Sequence, residues 1–276
     1  MNYLKYSIII ISLLIINILN AGTTGKISGT VTNADNNDPL VGCNIIIEST
    51  GMGSSTNING EYFIINIPPG KYTVIASMIG YKQVKIKNVT ISSDFTTPIS
   101  LELQTEAVSG EAVTVYARQN KIVKDLTSST SIISSEDFDI LPVTEISEVL
   151  EIQAGYVDGH LRGGRSGEVS YWIDGIAVTD AYNGNAATSI NKNSIEEMQV
   201  ISGAFNAEYG HAMSGIVNII TKDGSNKTGG YLSSYMGDFV SNQSSLFQNI
   251  SNINPLSTRN LDISINGPLI KDKLFY

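Results

Sequence analysis

Cys43 is the only cysteine among 276 residues. One thiol excludes an intrachain disulfide and any zinc site built on several cysteines. Histidine is nearly as scarce. His160 and His211 are the only two, each beside a glycine and without further ligands at metal-binding spacing. Charged residues make up 16% of the chain, and the basic share is the smaller: 17 Lys and Arg against 26 Asp and Glu, a net charge of −9. A nucleic-acid binder needs a basic face, and this balance argues against one. Beyond the first 21 residues, no apolar run reaches the about 20 residues of a membrane-crossing helix. Catalytic patterns are missing as well. Ser166 has Gly164 two residues before it but Glu168 two after, which breaks a nucleophile elbow. No glycine-rich phosphate loop carrying a lysine follows a strand. No metal, cofactor or catalytic residue is read, and the chain is expected not to be an enzyme.

What is present points to β-structure. Apolar residues form an ordinary 42%, and the 25 glycines favour many turns over long helices. Met1–Ala21 reads as a secretory leader: Lys5 supplies the positive end, Ile8–Ile16 the apolar core, and Asn20-Ala21-Gly22 a small-residue cleavage site. A transmembrane anchor is the competing reading, weakened by the shortness of that core. No cysteine follows the leader closely, so a lipoprotein anchor is not expected. Cys43 lies in an apolar run and is expected as a small buried residue.

Residues 25–103 alternate short apolar runs with turn signals. Asn59-Gly60 precedes an alternating run and predicts a hairpin, because both residues tolerate positive φ. Pro68-Pro69-Gly70 marks another turn. Tyr72, Val74 and Ala76 alternate with Thr73, Ile75 and Ser77. Short strands at this spacing predict a seven-stranded β-sandwich. Asp35-Asn36-Asn37-Asp38 is oxygen-rich, yet it lacks the glycine and final glutamate of a calcium loop, and a solvated turn is the better reading.

Residues 104–120 read as a linker holding one β-prone run, Glu111-Ala112-Val113-Thr114-Val115-Tyr116-Ala117. Residues 121–228 mix strands and short helices. Ser128–Ile133 alternates into a strand. Ser134 or Ser135 can cap a turn containing Glu136 and Asp137. Thr144 is a plausible N-cap, with Val143, Ile146, Val149 and Leu150 at helical spacing and Gly155 as the stop. Trp172-Ile173-Asp174-Gly175-Ile176 is the pattern of a tight type I′ hairpin, which makes Asp174 a turn former rather than a catalytic acid. Met198–Ser202 and Gly215–Thr221 read as strands, the second apolar enough for burial on both faces. In LRGGRS (Leu161–Ser166), Gly163 and Gly164 permit a sharp turn or a close approach. Arg162 and Arg165 flank them and could each hold a carboxylate bidentately.

Three of these stretches, LRGGRS, WIDGIAV (Trp172–Val178) and Glu208-Tyr209-Gly210 followed by Ser214-Gly215, resemble the plug domain of TonB-dependent outer-membrane receptors. The departure is Ala212-Met213-Ser214-Gly215, where two adjacent glycines are usual. The pattern GKISGTV, PLVGCNI, NGEYFI, IPPGKYTV, IGY over residues 25–103 also resembles the carboxypeptidase-regulatory-like domain, a transthyretin-like sandwich. The resemblance implies a mainly β chain: leader, seven-stranded sandwich, linker, α+β plug at 121–228, and the first strands of a transmembrane β-barrel at 229–276. It implies that Arg162, Gly163, Gly164 and Arg165 contact either a ligand or acidic residues of a barrel wall. It makes Glu111–Ala117 the candidate box that pairs by strand addition with the periplasmic energy-coupling protein, with a plain first strand of the plug as the alternative. Partners implied are that TonB-type protein, outer-membrane lipid, a small or oligomeric solute and a surface lipoprotein.

Past residue 228, Leu261, Ile263 and Ile265 alternate with Asp262, Ser264 and Asn266, the apolar-out and polar-in pattern of outer-membrane strands. A closed barrel needs about eight strands or more, so the sequence is expected to be part of a longer receptor for a siderophore, vitamin, oligosaccharide or peptide. The runner-up reading is a cell-surface or periplasmic carbohydrate-binding sandwich without transport. A third is a peptidase accessory domain, which predicts a zinc-ligand cluster that the sequence does not supply.

Overall fold

A computed structural model of the chain describes residues 23–106, 113–116, 128–141, 143, 145–165, 167–203, 209–210, 212–241, 243, 246, 253–271 and 273–276. The predicted leader lies outside them, as do Glu111, Ala112, Ala117, Thr144, Ser166, Glu208 and His211. Among the described residues no helix is long and apolar enough to cross a membrane.

Period-two alternation builds the first unit. β1 (Gly25–Asn33), β2 (Asn44–Ile47), β3 (Gly53–Ser55), β4 (Glu61–Ile67), β5 (Gly70–Ser77), β6 (Val84–Ile91), β7 (Thr96–Pro98) and β8 (Leu101–Leu103) form two facing sheets. One is ordered β4-β1-β7, and β8 continues β7 along the same edge of β1. The other is ordered β3-β2-β5-β6 and ends in β9 (Val113–Tyr116). Counting β7 and β8 as one interrupted strand gives the seven expected, and β9 is an eighth. Ile27, Val31, Ile45, Ile47, Ile64 and Val74 meet between the sheets, and each such aliphatic side chain contributes about 1.5–3 kcal/mol by leaving water. The Tyr62 hydroxyl donates to the Ile99 carbonyl at 2.8 Å, so its polar end is satisfied inside the core. Cys43 is fully buried, and burial pushes its thiol up to about 11.

The Asn59-Gly60 turn differs from the expected hairpin. Only Gly60 has positive φ, at 74°. The turn hands the chain from β3 in one sheet to β4 in the other, and the two strands do not pair. The organiser is Asn57, whose side-chain oxygen accepts from the Asn59 and Glu61 amides, both at 2.9 Å. An Asx turn closed by a side chain can cross between sheets, which a two-residue hairpin cannot.

The second unit contains β10 (Ser129–Ser134), α1 (Ser135–Ile140), α2 (Ile146–Glu151), β11 (Tyr156–Val157), β12 (His160–Leu161), β13 (Val169–Ile173), β14 (Ile176–Ala177), β15 (Ile195–Ser202) and β16 (Gly215–Thr221). Its main sheet is ordered β10-β15-β16-β13-β14, with β13 and β16 parallel and the other neighbours antiparallel. Ser134 caps α1, and Asp137 closes a capping box. Asp137 thereby extends the expected turn into a helix. Helix α2 starts later than the spacing suggested: its N-cap is Glu145, boxed by Glu148, and it ends at Glu151. Gly155 is the left-handed residue of the following turn, at φ 85°. Phe138, Val149 and Leu150 pack with Met198, Val200, Val217 and Ile219 on one face of the sheet.

β17 (Gly229–Gly237) and β18 (Thr258–Asn266) then pair antiparallel in unbroken register from Gly229–Asn266 to Gly237–Thr258. Leu261, Ile263 and Ile265 are exposed. A short hairpin of β19 (Pro268–Ile270) and β20 (Leu274–Phe275) follows.

Candidate functional site

The parallel register of β13 and β16 sets Val169 opposite Gly215. It therefore brings the loop before β13, with its arginines, against the loop before β16. The Glu168 carbonyl accepts from the amides of Met213 and Ser214 at 3.0 and 3.1 Å. A side chain at Gly164 would overlap Ser214 Cβ, and one at Gly215 would overlap the Leu161 side chain. Leu161, Gly164, Ser214 and Gly215 thus interlock, and the glycines are there because the two segments touch.

The arginine loop is built from consecutive left-handed turns. Asp158-Gly159 joins β11 to β12 with φ of 49° and 80°, and Arg162-Gly163 follows with 51° and 76°. Arg162 is an uncommon residue for that region. Two backbone bonds hold it there, Arg162 N to Gly155 O at 2.7 Å and Gly164 N to Leu161 O at 3.0 Å. His160 Nδ1 lies 2.8 Å from the Gly164 carbonyl. That oxygen can only accept, so Nδ1 carries the proton. Both arginines are exposed, and among the described residues neither forms an ion pair.

Asp174 and Gly175 lie at the opposite end of β13, with φ of 47° and 79° as a type I′ turn requires. Asp174 does more than turn. Its carboxylate accepts from the Thr221 amide at 2.8 Å and from the Thr221 hydroxyl at 2.7 Å, pinning the hairpin to the end of β16. Tyr209 sets its ring edge-on to Trp172, with centroids 5.4 Å apart. Gly210 is exposed beside it. In the candidate box, Val113–Tyr116 are β9, paired in parallel with Val84–Lys87 of the sandwich and, among the described residues, with no other strand.

Sequence reading missed a polar patch on the other face of the plug sheet. Glu197, Gln199 and Asn218 are buried there, with Gln199 and Asn218 in register. The sandwich loop after β6 covers them. Ser93 N donates to Glu197 at 3.3 Å, and Gln199 Nε2 donates to the Ser93 carbonyl at 2.9 Å. Lys71 of β5 pairs with Glu136 of α1 across the same junction. Burial pushes the Glu197 carboxyl above the usual glutamate range, and hydrogen bonds from Gln199, Ser92 and Ser93 oppose that shift without cancelling it. Gln199 Oε1 and both amide atoms of Asn218 find no partner among the described residues. The signal was available: Glu-Met-Gln alternation in β15 and an asparagine at the centre of an isoleucine-rich strand.

A two-sheet sandwich leads into a helix-flanked mixed sheet with arginine and glycine turns interlocked at one end, the build of an accessory sandwich joined to a plug-type domain. Residues 27–115 match the family model of the CarboxypepD_reg-like domain, and residues 122–216 match that of the TonB-dependent Receptor Plug Domain. The chain belongs to the TonB-dependent receptors. It is 31% identical to the TonB-dependent receptor P26 of Formosa agariphila, over 72% of this chain and 21% of that protein. It is 22% identical to the TonB-dependent transporter Oar of Myxococcus xanthus, over 92% of this chain and 26% of that one. The solved siderophore receptor PirA from Acinetobacter baumannii is 24% identical, with a TM-score of 0.41 over 52% of this chain and 22% of that chain. The chain spans about a fifth to a quarter of the length of the curated relatives it matches.

Proposed function

We propose that the protein is the signal, sandwich and plug portion of an outer-membrane receptor that takes up a large solute, a siderophore, vitamin, oligosaccharide or peptide, through a barrel gated by residues 121–228. The observation that carries this reading is the interlock of the LRGGRS loop with Ser214-Gly215 inside the stretch matched by the plug family model. On this reading the sandwich, residues 25–103, and the plug face the periplasm. The β17–β18 hairpin starts the barrel with Leu261, Ile263 and Ile265 towards lipid, which suits their exposure and alternation. Arg162 and Arg165 pair with acids of the barrel wall, and Glu111–Ala117 is the segment that the energy-coupling protein grips.

The test uses the complete receptor in its native outer membrane. Deleting residues 111–117 should abolish energised solute uptake while leaving solute binding at the cell surface intact. Unchanged uptake after that deletion sinks the coupling assignment. Downstream codons without alternating segments of about ten residues sink the receptor reading as a whole.

A further inference from the structure

The sandwich meets the plug through a knob, the turn of residues 92–95 between β6 and β7. The knob is built within the sandwich. Asp94 N donates to the Thr24 carbonyl at 3.0 Å and Phe95 N to the Ser92 carbonyl at 3.3 Å, with Asp94 at φ 61°. A side chain at Gly25 would overlap the Ser92 carbonyl, so the start of β1 presses directly on the base of the knob. A turn fixed by its own domain loses little freedom on docking.

Its seat is the second face of the plug sheet, away from the helices. Trp172, Asn218 and Gln199 are successive Cα partners across β13, β16 and β15, so they share that face. The knob engages it by its main chain. Ser93 N donates to Glu197, and Gln199 Nε2 donates both to the Ser93 carbonyl and to Glu197. The Asp94 carboxylate lies 3.5 Å from the hydroxyl of Tyr209, the residue set edge-on to Trp172.

This seat is built to be left. The apolar clusters of sandwich and plug share no residue, and domain contacts without a large apolar core permit relative motion. Gln199 Oε1 and both amide atoms of Asn218 are buried without a partner among the described residues. Each such atom costs about 1–3 kcal/mol, and water reaching an opened face would satisfy it. A cavity of about 90 Å³, with Gly70 and Lys71 on the sandwich side and Glu136, Glu196 and Glu197 on the plug side, interrupts packing at the rim.

We propose that the sandwich is a releasable latch on the plug: the knob of residues 92–95 seats on the face of Glu197, Gln199 and Asn218 and leaves it, with both units still folded, when Glu197 takes a charge. A neutral carboxyl suits the closed seat, whereas a carboxylate is costly there and is hydrated once the face opens. Burial holds Glu197 above its ordinary value of 4.5, so the docked form binds the proton more tightly than the released form. Docking is then complete below 4.5 and weakens as pH rises through the docked value. Lys71, Glu136 and Glu196 share the cavity with Glu197, Asp94 sits on the knob, and Lys222 and Asp223 act on Glu196. Of these, Glu196 raises Glu197 further. Release uncovers Glu197 and Gln199 and ends the Asp94–Tyr209 contact, so the latch decides whether this face of the plug is open.

Two amides separate undocking from unfolding. Ser93 N has its acceptor on the plug, whereas Val31 N donates to the Gly60 carbonyl at 2.8 Å inside the sandwich. Hydrogen exchange at both is followed by NMR in the full chain from pH 4.5 to about pH 8, each rate divided by that of an unstructured chain at the same pH. Ser93 protection should fall tenfold or more over this range while Val31 protection holds. Glu197→Gln, neutral throughout, should keep Ser93 protected at every pH, and Glu196→Gln should retain the fall. In the parent chain, an unprotected Ser93 at the acid end means no docking, constant protection means no release, and joint loss at Ser93 and Val31 means unfolding; each overturns the proposal. So does a parent-like fall in Glu197→Gln, or its disappearance in Glu196→Gln, because the controlling charge then lies elsewhere.

Discussion

Gly215 begins β16 at a point where a side chain has no room. A methyl there would overlap Leu161 Cδ2 and come within 2.9 Å of the Ile201 carbonyl. Leu161 is itself buried, so it has little freedom to retreat. Gly215→Ala should therefore cost about 1–3 kcal/mol, the usual range for overpacking a filled interior, read as a lower urea midpoint with an unchanged slope. Asp174 offers a finer comparison. Asp174→Ala removes both acceptors for Thr221 and leaves alanine at φ 47°, and should cost about 1–3 kcal/mol. Asparagine tolerates that φ and keeps one side-chain oxygen, so Asp174→Asn should lose clearly less in the same urea titration. Equal losses would mean that neither the turn geometry nor the retained acceptor matters. The Asp-Gly turn was legible in the sequence because its cause is local. Its bond to Thr221, 47 positions away, was not, because nothing in the turn itself names that partner.

Whole elements divide along the same line. Short-range chemistry marked β10, the Ser134 cap and the strand Gly215–Thr221 with small boundary errors. Helix α2 was expected to start from a Thr144 cap, and the structure caps it at Glu145, whose box with Glu148 was not read from the sequence. β9 could be read as β-prone but not assigned to a sheet, since its partner β6 is reached only through the folded sandwich. The Gly163-Gly164 pair stood out in the sequence and Gly215 through the family resemblance, while the approach of Gly164 to Ser214 and of Gly215 to Leu161 follows from the parallel register of β13 and β16. The β17–β18 hairpin carries a prediction of its own. Ile263 faces Leu232 across an exposed apolar stripe, whereas Asp262 faces Ser233 on the opposite side. If that stripe meets lipid in the complete receptor, Ile263→Lys should lower folding stability in phospholipid vesicles by about 2–4 kcal/mol when the site lies near the midplane. Asp262→Lys should be tolerated. The reverse order would turn the hairpin inside out.

At the scale of the whole molecule, the sandwich and the plug meet through polar groups. Ser93, Glu197 and Gln199 form the centre of that junction, with Lys71 and Glu136 at its rim. An exposed pair such as Lys71–Glu136 adds about 0–1 kcal/mol, so the pH response is governed by the buried carboxyl. Burial holds Glu197 above its ordinary value of 4.5, which means that the folded protein binds this proton more tightly than the unfolded chain does. The stability contributed by the group is then fully present below that ordinary value and is lost as pH rises through the higher folded value. Glu196 shifts in the same direction, chiefly by desolvation, with Lys222 opposing and Glu136 and Asp223 reinforcing the shift, and it leaves some slope of its own. Glu197→Gln stays neutral at every pH and keeps an oxygen for the Ser93 amide. Its thermal midpoint should lie close to that of the parent in acid and rise above it as pH increases past 4.5. A constant offset between the two proteins across that range would mean that the Glu197 charge adds nothing to the pH dependence of the sandwich–plug junction.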